Sequence, residues 1–273
     1  MNNILAISVC IPTFNGESYI NEALDSILIQ DYDDYEVIIS DDSSSDNTLA
    51  IVRNHELYKK GIIQIVKNSS RGIGSNWNNC INHARGTYIK LLFQDDLLNL
   101  GCLRKMRSAI TSGVAMVWSR KILIGDVPEG RQEREDNFFR ATAQFSGKNL
   151  MRKPSLYEHP RNPFGEPVCS FFPKEYWINC KYDERLSQGL DYEHAYRMLD
   201  LGRFHFIDEA LVSFRLHEGQ TTERNKRGII IDQFLIPQKI LIHHFFKLHL
   251  KVICVLIAKG VTGRIIWVFR KWR

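Results

Sequence analysis

Residues 5–47 have the sequence LAISVCIPTFNGESYINEALDSILIQDYDDYEVIISDDSSSDN. The apolar, β-branched run Leu5–Ile11 predicts a buried strand, and the turn-forming residues Pro12, Asn15 and Gly16 end it. The next segment places apolar residues at helical spacing, at Ile20, Ala23, Leu24, Ile27 and Leu28. A strand followed by a helix of this kind indicates an α/β fold in which crossover helices connect the strands of one sheet.

The same alternation continues outward from this stretch. A second strand is predicted at Tyr35–Ser40, where it leads into the polar cluster Asp41–Asn47. Further elements are predicted as a helix at Leu49–Tyr58, a strand at Ile62–Val66, a helix at Ser75–Ala84 and a strand at Tyr88–Phe93. The first hundred residues therefore predict a sheet wound with helices.

The pattern loosens after Asp96. Five prolines between residues 154 and 173 predict an irregular middle segment, and the charged run Arg131–Asp136 predicts a solvated loop. Asp191–Leu201 has the pattern of a helix, and Phe204–Phe214 predicts one or two short strands.

Charge is distributed unevenly along the chain. The net charge is +5, but residues 226–273 hold ten Lys or Arg and one acid, which leaves −4 for the preceding part. A basic appendage of this kind suits an anionic partner, either a membrane surface or a nucleic acid. The chain contains no recognised nucleic-acid module, so no nucleic-acid partner is predicted.

Cysteine usage and hydropathy bear on the compartment. The six cysteines include no C-x-x-C pair, which argues against a zinc site or a disulfide framework and favours a reducing compartment. The first apolar run lacks a basic start and soon meets Pro12, so it is interpreted as a strand, not as a signal peptide. Val252–Ala258 is far shorter than the roughly 20 apolar residues of a transmembrane helix. The expectation is a cytoplasmic protein, soluble or peripheral at the inner face of the cell membrane.

Two groups of acids follow predicted strands. Asp41 and Asp42 follow the second strand, and Asp95 and Asp96 follow the fourth. In open α/β sheets, ligands bind beyond the carboxyl ends of the strands. Adjacent carboxylates favour a nearby hard cation such as Mg²⁺ or Mn²⁺. Helix capping and turn formation are the alternative explanations of these acids.

Two further signals are weak by themselves. Asp191-Tyr192-Glu193 opens a predicted helix, where acids complement the helix dipole, and His217 follows a predicted strand, where a single histidine is usually structural. A resemblance to a known family gives both signals a functional interpretation. Nine segments, in this order and spacing, resemble family 2 glycosyltransferases: Ile11–Asn15, Ser26–Gln30, Tyr35–Ile39, Asp41–Asp46, Arg71-Gly72, Ala84–Gly86, Asp95-Asp96, Gly189–Glu193 and Phe214–His217.

The resemblance covers roughly residues 5 to 220 and implies a fold and an activity. The implied fold is GT-A, a Rossmann-like mixed central sheet flanked by helices. The implied activity is inverting transfer of a sugar from a nucleotide diphosphate sugar, with a UDP-sugar as the expected donor. The expected acceptor is a saccharide or lipid-linked saccharide, in the synthesis of a bacterial surface polysaccharide or a lipid-linked oligosaccharide.

The resemblance also implies donor-binding residues. Pro12 and Phe14 would line the base pocket, and Asp42, with Asp41 behind it, would hold the uracil or ribose. Arg71 would approach the diphosphate.

The resemblance also implies catalytic and metal-binding residues. Asp191 would be the general base, Asp95 and Asp96 would occupy the place of the metal-binding acids, with Asp96 as the direct ligand, and His217 would assist the diphosphate or the metal. The implied metal is Mn²⁺ or Mg²⁺. One departure is Phe93, because many members have an acid at this position, two residues before Asp95. The resemblance then leaves the metal and ribose contacts to Asp95 and Asp96 alone, so Asp95 is expected to bind the donor as well.

The domain prediction has three parts. Residues 1–100 are expected to form the nucleotide-sugar-binding half, residues 101–225 the acceptor-binding half and residues 226–273 a basic amphipathic helical tail. Apolar residues recur in this tail at Leu241, Phe245, Leu248, Val252 and Val255. Aromatic residues then stand among basic ones: Trp267, Phe269 and Trp272 with Arg264, Arg270, Lys271 and Arg273. Such a helix suits an anionic membrane surface, and a helix packed on the core is the alternative.

Four other functions compete with glycosyl transfer, and one of them, a nucleic-acid-binding protein that uses its basic tail, stays open although the chain contains no recognised nucleic-acid module. A sugar nucleotidyltransferase would carry a glycine-rich loop with a basic residue after its first strand, where this chain has Pro12–Asn15. A dehydrogenase would need G-x-G-x-x-G there, but the G-x-G at Gly72–Gly74 follows the third strand. A sugar-nucleotide-binding protein without turnover stays open, although the combined acids at 42, 95, 96 and 191 favour an enzyme.

Overall fold

The computed structural model describes residues 6–127, 139, 141–158, 162–186, 188–220, 235–240, 248 and 252–259 of the 273-residue chain. The first hundred residues alternate strands and helices as predicted. In chain order they form β1 (Ile7–Thr13), α1 (Ile20–Leu28), β2 (Tyr35–Asp41), α2 (Thr48–Asn54), α3 (Glu56–Lys59), β3 (Ile63–Lys67), α4 (Ile73–His83), β4 (Tyr88–Leu91) and β5 (Leu97–Leu98).

The predicted helix at Leu49–Tyr58 is two helices in the structure. His55 takes an extended conformation, with φ −70° and ψ 150°, between α2 and α3. Its Nδ1 accepts a hydrogen bond from the backbone N–H of Leu57 at 3.2 Å. A side chain that caps the second helix stabilises the break, which apolar spacing alone does not reveal.

The middle of the chain is more regular than predicted. It forms α5 (Cys102–Ala109), β6 (Val114–Gly125), β7 (Ala143–Ser146), α6 (Gly147–Met151), α7 (Pro154–Glu158), a 3₁₀ turn (Pro167–Cys169), β8 (Ser170–Pro173), α8 (Lys174–Ile178), α9 (Leu190–Met198) and β9 (Arg203–Leu216). No strand was predicted between Asp96 and residue 154, where β6 is a 12-residue strand that begins with a buried apolar run. β9 is one 14-residue strand, longer than the one or two short strands predicted at Phe204–Phe214. The charged run Arg131–Asp136 lies outside the described residues.

One mixed sheet connects these strands, in the order β3-β2-β1-β4-β8-β6-β9-β5, with β7 also paired to β9. β3, β2, β1 and β4 are parallel to one another. β8 runs antiparallel between β4 and β6, while β6 and β9 are parallel. The predicted α/β class with a mixed central sheet flanked by helices is therefore confirmed.

Apolar side chains cover both faces of the sheet. Cys10 belongs to one buried cluster, while its neighbours Val9 and Ile11 belong to the other. Because successive strand residues point to opposite faces, the two clusters lie on opposite sides of β1. The cluster with Val9 includes α1 and α5 residues, and the cluster with Cys10 includes α4 and α9 residues.

The motif Ala84–Gly86 fixes the approach of β4 to β1. Buried Glu36 accepts hydrogen bonds from Ser8 Oγ at 2.7 Å and from Arg85 Nε at 2.7 Å. A Cβ at Gly86 would lie 2.6 Å from the backbone N of Ser8. Glycine is therefore needed where the chain enters β4, and Arg85 supplies the charge that a buried carboxylate requires.

Described parts of the tail pack on the protein. Ile236, Ile240, Val252 and Leu256 are buried in the same cluster as Cys10, and Leu248 and Val255 pack against it. The alternative of a helix packed on the core therefore applies at 248, 252 and 255. Residues 241 and 245 and the aromatic and basic positions from 264 to 273 lie outside the described residues.

No helix among the described residues has the length and apolar character to cross a bilayer. The division of the first 225 residues at position 100 stays a prediction. The two proposed halves share one sheet, because β4 pairs with β8 and β5 pairs with β9.

Candidate active site

A cavity of about 500 Å³ opens where β1, β2 and β4 end. Seven of the predicted site residues line it: Pro12, Phe14, Asp42, Asp95, Asp96, Asp191 and His217. The predicted donor residues Asp41 and Arg71 are not among the lining residues. Side chains from positions far apart in the chain thus converge on one opening at the carboxyl edge of the parallel strands.

Asp41 and Asp42 point to different surroundings. Asp41 is buried, and its carboxylate accepts hydrogen bonds from Ser44 N at 3.0 Å and from Ser44 Oγ at 2.5 Å. This carboxylate therefore orders the polar loop behind the cavity. Arg71 is exposed beside Gly72.

Asp42 fixes the wall of the cavity beside β1 and β2. Its backbone N–H donates to Thr13 O at 2.9 Å, and its carboxylate accepts from Asn68 Nδ2 at 2.8 Å and from Gly72 N at 3.1 Å. These bonds join the end of β1, the end of β3 and the start of α4. Asp42 is thus held rigidly at the cavity.

Phe14 forms one rim of the cavity and is 51% exposed. Its backbone N–H donates to Gln94 Oε1 at 2.9 Å, and Gln94 Nε2 donates to Phe14 O at 3.1 Å. A Cβ at Gly16 would lie 2.5 Å from Gln94 Oε1. Gln94 was not predicted as a site residue, although its place directly before Asp95 could have suggested it.

Asn76 and Trp77 were also missed. Both line the cavity from α4. Asn76 Nδ2 donates to Thr13 O at 3.2 Å, while its buried Oδ1 has no hydrogen-bond partner among the described residues. The Trp77 ring packs 5.0 Å from Phe93, the residue that stands where many members of the resembled family have an acid.

Asp95 is paired with His217. Asp95 Oδ2 and His217 Nε2 lie 3.0 Å apart, and the His217 ring packs on Tyr19 with centroids 4.8 Å apart. Arg215 ties the same region together, because its Nε donates to Asp95 O at 2.9 Å and its guanidinium lies 4.8 Å above the Tyr19 ring. The end of β9 is therefore fixed against the end of β4.

Asp96 is fully buried. Its Oδ1 accepts a hydrogen bond from Arg215 N at 3.0 Å, and its Oδ2 has no hydrogen-bond partner in the described part of the chain. Burial first, and then the charge of Asp95, raise the pKa of Asp96 well above its ordinary value. A buried carboxylate oxygen without a partner is a suitable ligand for a cation.

The protein by itself offers an incomplete metal site. Within the described residues, no group of three or more His, Cys, Asp or Glu could hold a metal ion. Mg²⁺ is commonly held by one or two carboxylates together with substrate phosphates. The pair Asp95 and Asp96 fits that pattern.

Asp191 lines the same cavity from the first turn of α9. Gly189, with φ +62°, begins this helix, a conformation that glycine adopts without strain. Asn162 Nδ2 donates to Asp191 Oδ2 at 2.6 Å. Burial and the charge of Glu166 raise the pKa of Asp191 to about 6, against the lowering effect of Asn162.

Glu166 is a further acid in the cavity wall that the sequence analysis missed. It precedes Pro167 in the proline-rich segment, and no spacing or strand end marks it. Lys121 Nζ lies 2.8 Å from Glu166 Oε1. The two residues are 45 positions apart in the chain, so their contact is set by the fold.

Comparison with known proteins decides the family. The model of glycosyl transferase family 2 matches residues 8–177. This chain belongs to glycosyltransferase family 2. The matched segment spans β1 to α8 and contains Asp42, Asp95, Asp96 and Glu166.

Individual relatives agree with this membership. The chain is 30% identical over 181 residues to the GalNAc(5)-diNAcBac-PP-undecaprenol beta-1,3-glucosyltransferase of Campylobacter jejuni, covering 65% of this chain and 55% of that protein. It is 25% identical over 235 residues to the chondroitin synthase of Escherichia coli, covering 84% of this chain and 31% of that protein. The chain thus spans about half the length of the first relative and about a third of the second.

Solved structures establish the GT-A fold of this family 2 chain. Staphylococcus aureus TarS 1-349 in complex with UDP-GlcNAc matches with a TM-score of 0.68 at 22% identity, over 86% of this chain and 66% of that one. The mannosyltransferase PcManGT from Pyrobaculum calidifontis, in complex with GDP-Man and Mn²⁺, matches with a TM-score of 0.60 at 19% identity, over 95% of this chain and 70% of that one.

Proposed function

We propose that this protein transfers a sugar from a nucleotide diphosphate sugar to an acceptor hydroxyl, with inversion at the anomeric carbon. The observation that carries the proposal is the convergence of four acids on one cavity: Asp42, Asp95, Asp96 and Asp191. Family 2 membership supports the reaction class.

Asp191 is proposed as the general base. Its pKa of about 6 leaves it ionised at neutral pH yet basic enough to accept the proton of an attacking hydroxyl. In a single displacement the acceptor oxygen attacks the face of the sugar opposite the departing diphosphate. Asp191 and the strand-end acids line the same cavity, which supports this assignment.

The nucleotide is proposed to bind at the end of the cavity formed by β1 and β2. Pro12 and Phe14 are suited to contact the base, and Asp42 to accept hydrogen bonds from the base or the ribose. Asp41 supports this wall from behind through its bonds to Ser44. Arg71, exposed beside the cavity, is proposed to contact the diphosphate.

Asp95 and Asp96 are proposed to hold a divalent metal, Mn²⁺ or Mg²⁺, with His217 beside them. The unpartnered Oδ2 of Asp96 supports this assignment. A bound divalent ion would neutralise the negative charge that develops on the departing diphosphate. The pairing of His217 with Asp95 orients the Asp95 carboxylate.

A UDP-sugar is proposed as the donor. TarS was solved with UDP and with UDP-GlcNAc, whereas PcManGT was solved with GDP-Man and Mn²⁺. The name of the Campylobacter jejuni relative supports a saccharide acceptor linked to a lipid, within the synthesis of a bacterial polysaccharide or lipid-linked oligosaccharide.

A ligand screen followed by an assay tests this function. Thermal shifts are measured with UDP-, GDP- and dTDP-sugars in Mn²⁺, and each stabilising donor is then tested for release of its nucleoside diphosphate with and without saccharide acceptors. Turnover of a UDP-sugar is the expected result. Stabilisation without turnover toward any acceptor or water would instead support a binding protein.

Association with the inner face of the cell membrane through the basic tail is also proposed. The apolar residues of the tail at 248, 252 and 255 pack on the core, so the membrane contact is assigned to the cations and aromatic residues from 264 to 273. Each cation near an anionic surface contributes about 1 kcal/mol. Replacing Arg264, Arg270, Lys271 and Arg273 by Gln should abolish flotation with anionic liposomes. Equal flotation of the two proteins would contradict the proposal.

A further inference from the structure

Glu166 lies in the cavity without a role in the proposed reaction. It lines the wall together with Asp96 and Asp191. After burial, which is the largest cause for both, the charge of Glu166 contributes to the raised pKa of Asp96 and of Asp191. A charge that acts on both carboxylates must be near both. Glu166 therefore lies near both the strand-end acid Asp96 and the proposed base Asp191, in the wall of the same cavity.

Lys121 holds the carboxylate of Glu166 in one orientation. Lys121 Nζ lies 2.8 Å from Glu166 Oε1, with the side chains 22% and 38% exposed respectively. Burial alone would lower the pKa of Lys121, but the charge of Glu166 raises it on balance. Lys121 also lies 5.0 Å above the ring of Phe214, another residue of the cavity wall. The Glu166 carboxylate is consequently held in place by its contact with Lys121.

One carboxylate oxygen of Glu166 is available to a ligand. Of the two, only Oε1 takes part in a hydrogen bond within the described residues. A metal is a poor candidate for Oε2, because Glu166 does not combine with Asp95 and Asp96 into a metal-binding group in that part of the chain. A neutral hydrogen-bond donor is the better fit. An ionised carboxylate acts only as an acceptor, and sugar hydroxyls are donors.

The position of Glu166 in the cavity indicates whether the donor sugar or the acceptor supplies those hydroxyls. In a single displacement, the transferred sugar lies between the departing diphosphate and the general base. Glu166 lines the same cavity and lies near both Asp96, on the diphosphate side of the proposed reaction, and Asp191, the proposed base. The ring hydroxyls of the donor sugar are therefore the groups that come within its reach.

Building on the proposed function, we propose that Glu166, held by Lys121, accepts hydrogen bonds from hydroxyl groups of the transferred sugar and thereby selects the sugar of the donor. A site that hydrogen-bonds a substrate hydroxyl rejects an analogue lacking it far more strongly than an apolar pocket could. Glu166 is thus a specificity-determining residue whose ion pair with Lys121 sets its orientation.

The test compares intact and deoxygenated donors. The preferred UDP-hexose and its 2-, 3-, 4- and 6-deoxy forms are assayed with the wild type and with Glu166→Gln by kcat/KM. The wild type should lose about 10- to 100-fold with at least one deoxy donor, the size of a hydrogen bond to a charged group. For Glu166→Gln, kcat/KM with the intact donor should fall by a similar factor. Its kcat/KM values for the intact donor and for that deoxy donor should differ by less than about threefold. Equal discrimination by both proteins would overturn the proposal.

Binding of UDP in Mn²⁺, measured by calorimetry, separates a sugar contact from general damage. Glu166→Gln should bind UDP as the wild type does, and a loss of UDP affinity as large as the loss in kcat/KM would overturn the assignment to the sugar. Glu209→Gln is the matched control, because it removes a 50% exposed carboxylate from a surface ion pair with Lys105. It should retain wild-type kcat/KM and discrimination.

Lys121→Met gives an independent variant. It leaves the carboxylate in place but removes the group that orients it, so discrimination against the same deoxy donor should fall while UDP affinity is kept. Discrimination unchanged from the wild type would contradict the role of the ion pair. Absence of turnover by the wild type with every nucleotide sugar would overturn the proposed function and this inference with it. Turnover with unchanged discrimination in Glu166→Gln overturns only the role of Glu166.

Discussion

Asn162 Nδ2 lies 2.6 Å from Oδ2 of Asp191 and donates a hydrogen bond to it. The same amide nitrogen donates to Gly165 O at 2.7 Å, so the loop that ends at Glu166 is folded around this contact. The bond stabilises the ionised form of Asp191 and opposes the burial and the negative charge that raise its pKa. Asn162 is therefore positioned to tune the proposed base.

The first prediction concerns pH. If Asp191 is the base, kcat/KM should fall as the pH drops below about 6, because the protonated carboxyl cannot accept the acceptor proton. Asn162→Ala removes the bond that lowers the pKa, so its acid limb should move to higher pH. The test is to measure kcat/KM as a function of pH for the wild type and for Asn162→Ala. Asn21→Ala, at an exposed position on α1, is the control. An acid limb near pH 4 in the wild type would contradict it.

The second prediction concerns the chemical step. Asp191→Asn keeps the shape of the side chain but removes the basic oxygen. Transfer should fall by about two to four orders of magnitude, the usual contribution of a positioned base. UDP affinity should stay at the wild-type value, because Asp191 is not among the residues proposed to contact the nucleotide. Turnover close to wild type would remove Asp191 from the role.

The third prediction concerns the pH dependence of the stability of Asp191→Asn. The pKa of Asp191, about 6 in the folded protein, lies above its ordinary value of 3.8. The folded state therefore binds this proton more tightly, and the resulting stabilisation is present below about pH 4 and lost as the pH rises through 6. Asp191→Asn should be more stable than the wild type at pH 7.5, by at most about 3 kcal/mol, with little difference at pH 4. Denaturant unfolding at the two pH values checks the sign.

The fourth prediction concerns the proposed metal ligand. Asp96→Asn preserves the acceptor for Arg215 N but removes the charge of the buried carboxylate. Mn²⁺ should strengthen UDP binding to the wild type at least about tenfold and leave binding to Asp96→Asn nearly unchanged, because a neutral amide is a weaker ligand for a hard cation. Calorimetry with and without Mn²⁺ measures the difference. Asp34→Asn, at an exposed position, is the control, and equal Mn²⁺ enhancement in Asp96→Asn would argue against the assignment.

The fifth prediction concerns the fold. Gly86→Ala would place a Cβ 2.6 Å from Ser8 N and 2.7 Å from Ile7 C, both backbone atoms of β1. Because backbone atoms within a sheet shift only at a cost, this overpacking should destabilise the protein by about 1–3 kcal/mol. Thermal or denaturant unfolding measures it against Ser69→Ala at an exposed position. An unfolding midpoint of Gly86→Ala equal to that of the wild type would show that β1 and β4 can move apart at little cost.

Local pattern predicted one part of this structure well. The apolar runs and helical spacing of the first hundred residues predicted β1 to β4 and their helices, and strand ends predicted Asp42, Asp95 and Asp96 as residues of one edge. The resemblance to family 2 supplied Asp191 and His217, which the cavity brings together with them. The same signals missed β6, whose buried run Val114–Trp118 was available but stood between polar segments.

The sequence by itself determined the class of fold, the family and the edge of the sheet where a ligand would bind, because periodicity and strand ends are local properties of the chain. Tertiary structure alone decided which side chains meet there. Phe14 and Gln94 are 80 positions apart, Asp96 and Arg215 are 119 apart, and Asn162 and Asp191 are 29 apart. Contacts over such separations depend on how whole elements pack, which no local pattern encodes. For the same reason Glu166 and Lys121 became visible only when the loop before β8 was placed against β6.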